Sequence, residues 1–368
     1  MKNEKINAYQ FLVIVIFFTI GTSILTVPSG LAEDARQDAW IVAIVGTVLG
    51  LFVIWIYNKL GLMFPNMTFI KMNIEIFGIW LGKIISLIFV TMPFLYTSIV
   101  LIYNGNFLLI HMMPNTPILA VNILMVIIVV MGVRLGIETI GRAAEIFVLF
   151  FFILFIILVV FISPQIKLEN IQPVFETDMK TVLHASISLV VTSSLSSVVL
   201  LMIFPALVNQ PEEASKSFYI GNILGGLVII IITVLSILVL GADTTERQTY
   251  PSFMLARKIN IGHIIQRIEG TIAIMWFISI YFKTVLYFYA SVLGTAQILN
   301  MKQYRPLILP FGLIITVLSI IMYVNVGKQQ DFYINFTIPY SLTLGFFLPL
   351  IMLVVGVFKK KSSRQKIK

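Results

Sequence analysis

The sequence predicts an all-α, polytopic membrane protein, on the basis of its composition and of the length of its apolar segments. Of its 368 residues, 59% are hydrophobic and 11% are charged, whereas soluble domains are about half apolar and about a quarter charged. Apolar segments of about 20 residues, which is the length that crosses the hydrocarbon core as a helix, recur from one end of the chain to the other. The chain is therefore predicted to be a single membrane domain of about ten transmembrane helices.

Each apolar window that is long enough to cross the bilayer predicts one span. Two stretches between them, 68–83 and 250–268, show amphipathic patterns typical of helices that lie along the membrane surface. An even number of spans puts both termini on one side, and the basic C-terminal tail predicts that this side is cytoplasmic. The predicted spans cover residues 8–29, 39–62, 84–110, 118–133, 142–163, 180–207, 218–241, 270–299, 306–324 and 335–358.

Composition and motifs exclude several classes of protein. The chain has no cysteine and three histidines, and none of the histidines has a partner at metal-ligand spacing. No phosphate-binding loop, dinucleotide fingerprint or catalytic-triad pattern is present. The net charge of +9 arises in short loops and in the C-terminal tail, which favours a lipid bilayer over nucleic acid as the partner of the basic residues. We therefore expect no enzymatic activity, no cofactor, no metal and no nucleic-acid partner.

The middle of the first span combines a glycine with hydroxyl side chains. Gly21, Thr22 and Ser23 precede Ile24 well inside the predicted membrane segment. An interrupted helix there would turn free backbone N–H and C=O groups toward a cavity, which is how transporters hold substrates and ions. Small residues also allow close contacts between helices, so a packing role is the alternative.

The sixth span is rich in hydroxyl side chains, with seven of them between residues 186 and 197. They are spread around the helix too widely for one packing seam. Spans one and six lie five spans apart, and interrupted helices at such corresponding positions indicate the binding site of an inverted-repeat transporter. The alternative is that the hydroxyls are satisfied by their own backbone carbonyls. The predicted binding residues in this span are Ser193, Ser194, Ser196 and Ser197.

Span eight carries a lysine, Lys283, near its midpoint. An ammonium in the membrane core costs at least about 2.5 kcal/mol on insertion scales, so a central lysine is a candidate functional residue. Tyr287 shares its face at four-residue spacing, and Thr284 and Phe288 are adjacent, while Tyr96 of span three is deep enough to line the same cavity. The alternative is a structural lysine whose ammonium is capped by backbone carbonyls of a neighbouring span.

Three parts of the chain resemble the spore germination receptor B-subunit family. They are the outer-loop segment 250–269, which begins Tyr-Pro-Ser-Phe-Met-Leu-Ala-Arg, the inner-loop segment 134–146, and the opening segment 6–28. With the matching number of spans, the resemblance covers essentially the whole chain. It implies a leucine-transporter-like fold within the amino acid, polyamine and organocation permease superfamily. By position it implies a pocket between spans one, three, six and eight, formed by Gly21, Thr22, Ser23, Tyr96, Val100, Ser197, Thr284 and Phe288.

One departure from the superfamily pattern concerns span six. Relatives often have a Gly or Glu in the broken region of this span, where the present chain has the Ser193 to Ser197 cluster. A break in the helix at this point is therefore left open, as is a carboxylate that would couple binding to protons.

The resemblance also implies a function, a location and partners. Members of the family act in the spore inner membrane of endospore-forming bacteria, together with a membrane-embedded A subunit and a lipoprotein C subunit, as nutrient germinant receptors. The B subunit is expected to bind a small nutrient, after which the complex starts ion release. An amino acid would suit opposed N–H and C=O helix ends, and a nucleoside or sugar would suit the hydroxyls and aromatic rings equally. A secondary transporter that moves its solute is the second functional prediction.

Overall fold

The structure, a computed structural model, is almost entirely helical over the residues it describes, which are 4–261, 265–266, 269–322 and 332–365. The predictions for residues 262–264, 267–268, 323–324 and 366–368 fall outside this part of the chain.

Fifteen α-helices are present in the described residues, and short 3-10 and π segments extend or join several of them. The helices are α1 Ala8–Ile20, α2 Ser23–Ala35, α3 Ala39–Met63, α4 Phe69–Phe77, α5 Ile79–His111, α6 Ile118–Leu135, α7 Ile137–Ile162, α8 Met179–Leu189, α9 Pro211–Leu240, α10 Ala242–Arg247, α11 Pro251–Arg257, α12 Glu269–Ile298, α13 Arg305–Ile321, α14 Ile338–Ser341 and α15 Leu348–Gln365.

Long apolar helices recur along the described part of the chain. Eight helical stretches in the described ranges are long and apolar enough to cross a membrane, and the shorter apolar helices α1 and α13 accompany them. Span one consists of α1 and α2, and span six runs from Met179 to Met202 as α8 followed by a π segment and a 3-10 segment. Span ten contains the π segments Tyr333–Thr337 and Leu342–Phe347. The prediction of an all-α, polytopic membrane protein is confirmed.

The two amphipathic stretches are shorter as helices than the sequence predicted. The first, α4, ends at Phe77 because Gly78 turns the chain with a φ of 83°, a value that glycine adopts without steric cost. Residues 79–83 therefore belong to the long helix α5. In the second stretch, α11 ends at Arg257, and a short antiparallel pairing of Asn260–Ile261 with Ile265–Gln266 follows.

Helices α1 and α12 form the centre of the bundle. Every residue of α1 from Val13 to Ile20 is buried, because this helix packs against α9, α7 and α12. Helix α12 packs in addition against α5, and the rings of Phe17 and Phe282 stack with their centroids 4.8 Å apart. A helix that is apolar on all sides is stable only when other helices surround it. The candidate residues of spans one and eight therefore lie on the two most central helices.

Helices α6, α7 and α13 present apolar side chains at the outside of the bundle. Leu124 and Met131 of α6, Leu149 and Phe150 of α7, and Leu313 of α13 are all more than half exposed. In water such a surface would be unfavourable, whereas in a membrane it is the face that contacts lipid chains. These helices therefore shield the central pair from the bilayer.

The loop between α7 and α8 is held over one end of the bundle by a buried carboxylate. Asp38, at the start of α3, accepts hydrogen bonds from the amides of Phe175 (3.0 Å) and Thr177 (2.9 Å). At the end of this loop Asp178 caps α8, and hydrogen bonds from the hydroxyl and amide of Thr181 lower the pKa of the Asp178 carboxyl. The loop thereby fixes the start of span six.

The N-terminal segment is tied to the chain that follows span six. The amide of Ile6 donates to the carbonyl of Leu207, and the amide of Asn209 donates to the carbonyl of Ile6, each at 2.9 Å. These bonds form a parallel bridge between Ile6 and Val208. The start of α1 and the end of span six are thus joined on the same face of the bundle.

Candidate binding site

The helix of span one is interrupted at two residues in the middle of the bundle. Helix α1 ends with the amide of Gly21 donating to the carbonyl of Phe17 at 2.8 Å, and α2 begins at Ser23. Gly21 has a φ of 25° and a ψ of −115°, a conformation that side-chain-bearing residues rarely adopt. The last carbonyls of α1 and the first amides of α2 lack partners within their own helices. They supply backbone donors and acceptors at the bundle centre.

Span six stays helical at the position where the sequence left a break open, but its winding changes there. Val190–Ser194 is a π segment and Leu195–Met202 is a 3-10 segment. The wider and the tighter winding both displace carbonyls from the regular α pattern. The carbonyl of Thr192, for example, accepts a hydrogen bond from Lys283 of α12 in addition to one from the Ser196 hydroxyl of its own helix.

Lys283 of α12 connects the two irregular helices. Its ammonium donates to the carbonyl of Thr192 at 2.8 Å and lies 3.5 Å from the hydroxyl oxygen of Thr22. The ring of Phe18 is also near, with its centroid 5.3 Å from the Nζ atom. Lys283 is only 2% exposed. The buried Lys283 side chain therefore contacts both the backbone interruption in span one and the π segment in span six.

The glycine at position 21 is required by this arrangement. The Lys283 side chain lies directly against the Cα of Gly21, and any Cβ at this position would overlap with the Lys283 Cδ atom. One turn away, the hydroxyl of Ser279 donates to the carbonyl of Gly21 at 3.2 Å. Helix α12 thus supports the interruption with both a side-chain contact and a hydrogen bond.

A cavity of about 320 Å³ opens beside these groups, within the size range of small-molecule pockets. It extends from the interruption in span one toward α2, between α5, span six, α12 and the start of span ten. Its described wall is mostly apolar and aromatic, with hydroxyl groups and a single charged side chain, that of Lys283. The lining residues are Thr22, Thr26, Val27, Gly30, Tyr96, Ile99, Val100, Ile102, Tyr103, Ser188, Val191, Thr192, Ser196, Lys283, Tyr287, Met322, Phe332, Tyr333 and Thr337.

Tyrosines hold the walls of this cavity together. The hydroxyl of Tyr96 is hydrogen-bonded to that of Ser341 in span ten, and its ring meets the ring of Tyr287 edge-on at 5.6 Å. On the opposite side, the Tyr333 hydroxyl lies 2.9 Å from that of Thr192 and donates to the carbonyl of Ser188 at 3.1 Å. Span ten is thereby attached to both span three and span six around the cavity.

Six of the fourteen predicted site residues line the cavity: Thr22, Tyr96, Val100, Ser196, Lys283 and Tyr287. Gly21, Ser23 and Ile24 are buried around the interruption and are absent from the described lining. Thr284 and Phe288 face a separate small void together with residues of α5, α6 and α13. The chemical role of each of these residues stays a prediction.

The remaining three residues, Ser193, Ser194 and Ser197, are engaged within the bundle. The hydroxyl of Ser193 donates to the carbonyl of Leu189 at 2.7 Å, and that of Ser197 to the carbonyl of Ser194 at 2.5 Å. Ser194 packs against Gly50 of α3. These contacts correspond to the alternative of self-satisfied hydroxyls.

The part of the cavity wall that comes from span ten is not indicated by the sequence pattern. Phe332, Tyr333 and Thr337 line the cavity, yet aromatic residues at the start of a span are equally typical of membrane-interface anchors. Thr26 and Val27, one turn beyond the interruption, were also not singled out, because their lining role depends on where α2 begins. A polar position in each turn of span ten would have been the signal to search for.

The sequence is similar to those of known spore germination proteins. The sequence model of a family described as "Spore germination protein" matches residues 5–328. Spore germination protein KB of Bacillus subtilis is 30% identical over 373 aligned residues, covering 100% of this chain and 98% of that protein. Spore germination protein YndE of the same organism is 25% identical, covering 98% and 99% of the two chains.

Solved structures show which fold this arrangement belongs to. The crystal structure of MhsT in complex with L-phenylalanine superposes with a TM-score of 0.69 at 15% identity, covering 96% of this chain and 99% of MhsT. The nucleobase-cation-symport-1 family transporter Mhp1, in a closed conformation with bromovinylhydantoin bound, gives 0.65 at 10% identity, with 97% and 90% covered. Both are transporters with the leucine-transporter fold. The leucine-transporter-like fold that the resemblance implied is therefore confirmed.

Proposed function

Because this chain belongs to the spore germination protein family of permeases, we propose that it is the nutrient-sensing, permease-like subunit of a germinant receptor. It binds a small nutrient, such as an amino acid, in the cavity beside Lys283, and this binding triggers germination and ion release. Its site of action is the spore inner membrane, with both termini in the cytoplasm. The alternative is a secondary transporter of amino acids or another small solute.

The cavity at the interrupted helix is the observation that carries this proposal. Interrupted helices in such folds present backbone N–H and C=O groups to a solute at mid-membrane depth. Thr22 lies at the interruption and lines the cavity, and Ser196 and Tyr287 add hydroxyls beside it. One structural neighbour holds L-phenylalanine and the other holds a hydantoin. Both an amino acid and a nucleobase-like ring are thus candidate ligands for a cavity of this kind.

The partners in the proposal are an A subunit and a C subunit, as in the receptors that this family serves. A sensor converts binding into a change of conformational equilibrium only when the ligand has different affinities for the two conformations. The hydroxyl pairs of Tyr96 with Ser341 and of Tyr333 with Thr192 cross the cavity. A ligand between them would change the packing of span ten, which gives a route from the cavity to the surface of the subunit.

Filling the cavity tests whether it is the nutrient site. Val100 lines it and is 5% exposed, so Val100→Trp should occupy the space and abolish the nutrient response of spores that carry the variant receptor. Val48→Trp is the matched control, because Val48 lies at the outside of the bundle and is 60% exposed. A Val100→Trp receptor with unchanged nutrient sensitivity and normal abundance would contradict the proposal.

Reconstitution of the purified chain in liposomes distinguishes a nutrient sensor from a secondary transporter. The purified chain in liposomes should bind labelled amino acid without accumulating it in the lumen when the A and C subunits are absent. Robust uptake that depends on an imposed ion gradient, and that Val100→Trp removes, would instead support the secondary transporter.

A further inference from the structure

The described cavity wall contains the amine of Lys283 and no carboxylate. Lys283 is the only charged side chain in its described lining, and the ion pairs found in the described ranges lie elsewhere, at Arg36 with Asp243, Arg142 with Glu138 and Arg305 with Glu4. A buried cation without an anion costs several kcal/mol, and buried charges in proteins are normally paired.

The hydrogen bonds of the ammonium also leave room for a further acceptor. An ammonium has three donors. In the described structure one of them has a good acceptor, the Thr192 carbonyl at 2.8 Å, and a second has only the distant Thr22 hydroxyl at 3.5 Å. At least one donor therefore has capacity for a further oxygen on the cavity side.

The first turn of α2 adds to this positive field. Its start lies at Ser23, directly after Thr22, and the amide end of a helix carries a partial positive charge. An anionic group between Lys283 and the start of α2 would meet both. The rest of the wall is suited to an apolar group, because Ile99, Val100 and Val191 line it.

We infer that Lys283 is the charge-selecting residue of the cavity and pairs with a carboxylate of the ligand, so that the pocket takes a small carboxylate with an apolar remainder. This inference rests on the proposed function and narrows its ligand class. Amino acids and simple carboxylic acids satisfy it. Neutral sugars and nucleosides leave the ammonium unpaired, and amines that lack a carboxylate add a second positive charge.

Matched small molecules test the inference on the purified full-length protein by ligand-induced thermal stabilisation. The probes are L-leucine, 4-methylpentanoate (carboxylate without the amine), L-leucinol (amine without the carboxylate), glucose and inosine. L-Leucine and 4-methylpentanoate should raise the melting temperature, whereas leucinol, glucose and inosine should not. Comparing the rise in melting temperature with L-leucine to that with 4-methylpentanoate then shows whether the site prefers an amino acid or a simple carboxylate.

Variants assign this selectivity to Lys283. Lys283→Met should weaken the binding of carboxylate probes by about 10- to 100-fold, the usual effect of losing a hydrogen bond to a charged group. Lys283→Arg, which keeps the charge, should retain part of the affinity for the carboxylate probes. A lysine that only connects helices would lower stability without changing the order of preference among the probes, so that order is the decisive readout.

Two results would overturn the inference. The first is that leucinol, glucose or inosine stabilises the protein more than the carboxylates do, and that Val100→Trp removes this stabilisation. The cavity would then still be the nutrient site, but its ligands would belong to another chemical class. The other is failure of every carboxylate probe to stabilise the wild-type protein. By contrast, carboxylate binding that is lost in Lys283→Met but unaffected by Val100→Trp would support the pairing and contradict the proposed cavity.

Discussion

The irregular helices of spans one and six differ in how their polar groups are used. In span one the backbone itself is interrupted at Gly21, and the hydroxyls of Thr19 and Ser23 are buried with no hydrogen-bond partner in the described structure. In span six the backbone continues, and the hydroxyls of Ser186, Ser188, Thr192, Ser193, Ser196 and Ser197 all donate to carbonyls three or four residues earlier.

This difference shows that a high number of hydroxyl residues in a helix does not imply free hydrogen-bonding groups. A serine inside a helix can close a hydrogen bond with its own turn and then has little left for a ligand. An interrupted backbone, in contrast, cannot satisfy its own end groups. We therefore expect substitutions at the interruption in span one to have large effects and substitutions of the span six serines to have small ones.

Gly21→Ala should have the largest effect. The new Cβ would overlap with the Lys283 side chain at a φ of 25°, so it brings steric overlap as well as backbone strain. We expect a loss of at least about 2 kcal/mol of stability, seen as a lower melting temperature in detergent and as loss of the nutrient response. Gly270→Ala is the control, since Gly270 is absent from the described cavity lining and a Cβ there has no atom within 4 Å. Equal melting temperatures for the two variants would contradict the role given to Gly21.

Tyr57→Phe should have an intermediate effect, through backbone carbonyls of spans six and ten and not through the span six serines. The Tyr57 hydroxyl donates to the carbonyl of Gly345 at 2.6 Å and lies 3.1 Å from that of Leu195. Its removal leaves buried carbonyls without their donor, which costs about 1–3 kcal/mol. Thermal unfolding measures this cost. Tyr9→Phe, at a tyrosine that is 55% exposed, should leave the melting temperature unchanged, and a similar drop in both variants would refute the prediction.

Thr22→Val should have a smaller effect on stability and a clear effect on ligand response. Valine keeps the shape of threonine but removes the hydroxyl that lies 3.5 Å from the Lys283 ammonium. We expect a change of about 1 kcal/mol or less in unfolding free energy, together with a shift in the nutrient concentration that gives half-maximal germination. An unchanged dose response would show that the interruption does not contact the ligand through this hydroxyl.

Ser193→Ala should have the smallest effect. Its hydroxyl is satisfied by the carbonyl of Leu189 in the same helix, and an alanine leaves that carbonyl in the helical backbone pattern. We expect a change below about 0.5 kcal/mol and a normal nutrient response. An effect as large as that of Gly21→Ala would reverse the comparison and make the π segment the main recognition element.

The fold could be predicted because long apolar segments recur along the chain, and the family because three segments, 6–28, 134–146 and 250–269, resemble those of known members. Apolar length gave the spans, and Gly21 marked the interruption in span one. Lys283 was identified because a charge in an apolar span is conspicuous, and the structure places it both in the cavity wall and on a backbone carbonyl. The carbonyl contact of the structural interpretation is therefore present, and the functional interpretation stays a proposal.

The contribution of span ten could not be predicted, for a physical reason. Tyr333 and Thr337 join the cavity because of how span ten packs on spans three and six, and the sequence of a single span does not record its neighbours. The same holds for Thr284 and Phe288, which lie on α12 near Lys283 but face the void beside α13. A helix face is visible in the sequence, whereas the helix that it meets is not.

The bridge between Ile6 and Val208 has a consequence for measuring motion in this protein. Because two backbone hydrogen bonds join these two segments, the first turn of α1 and the chain after span six must move as one body unless those bonds break. The chain has no cysteine, so spin labels on cysteines introduced at Asn7 and Asn209 would be the only ones present. Their separation should stay constant on addition of ligand. A second pair, with one label at Asn7 or Asn209 and the other on a cysteine introduced in span ten, should report the response to ligand.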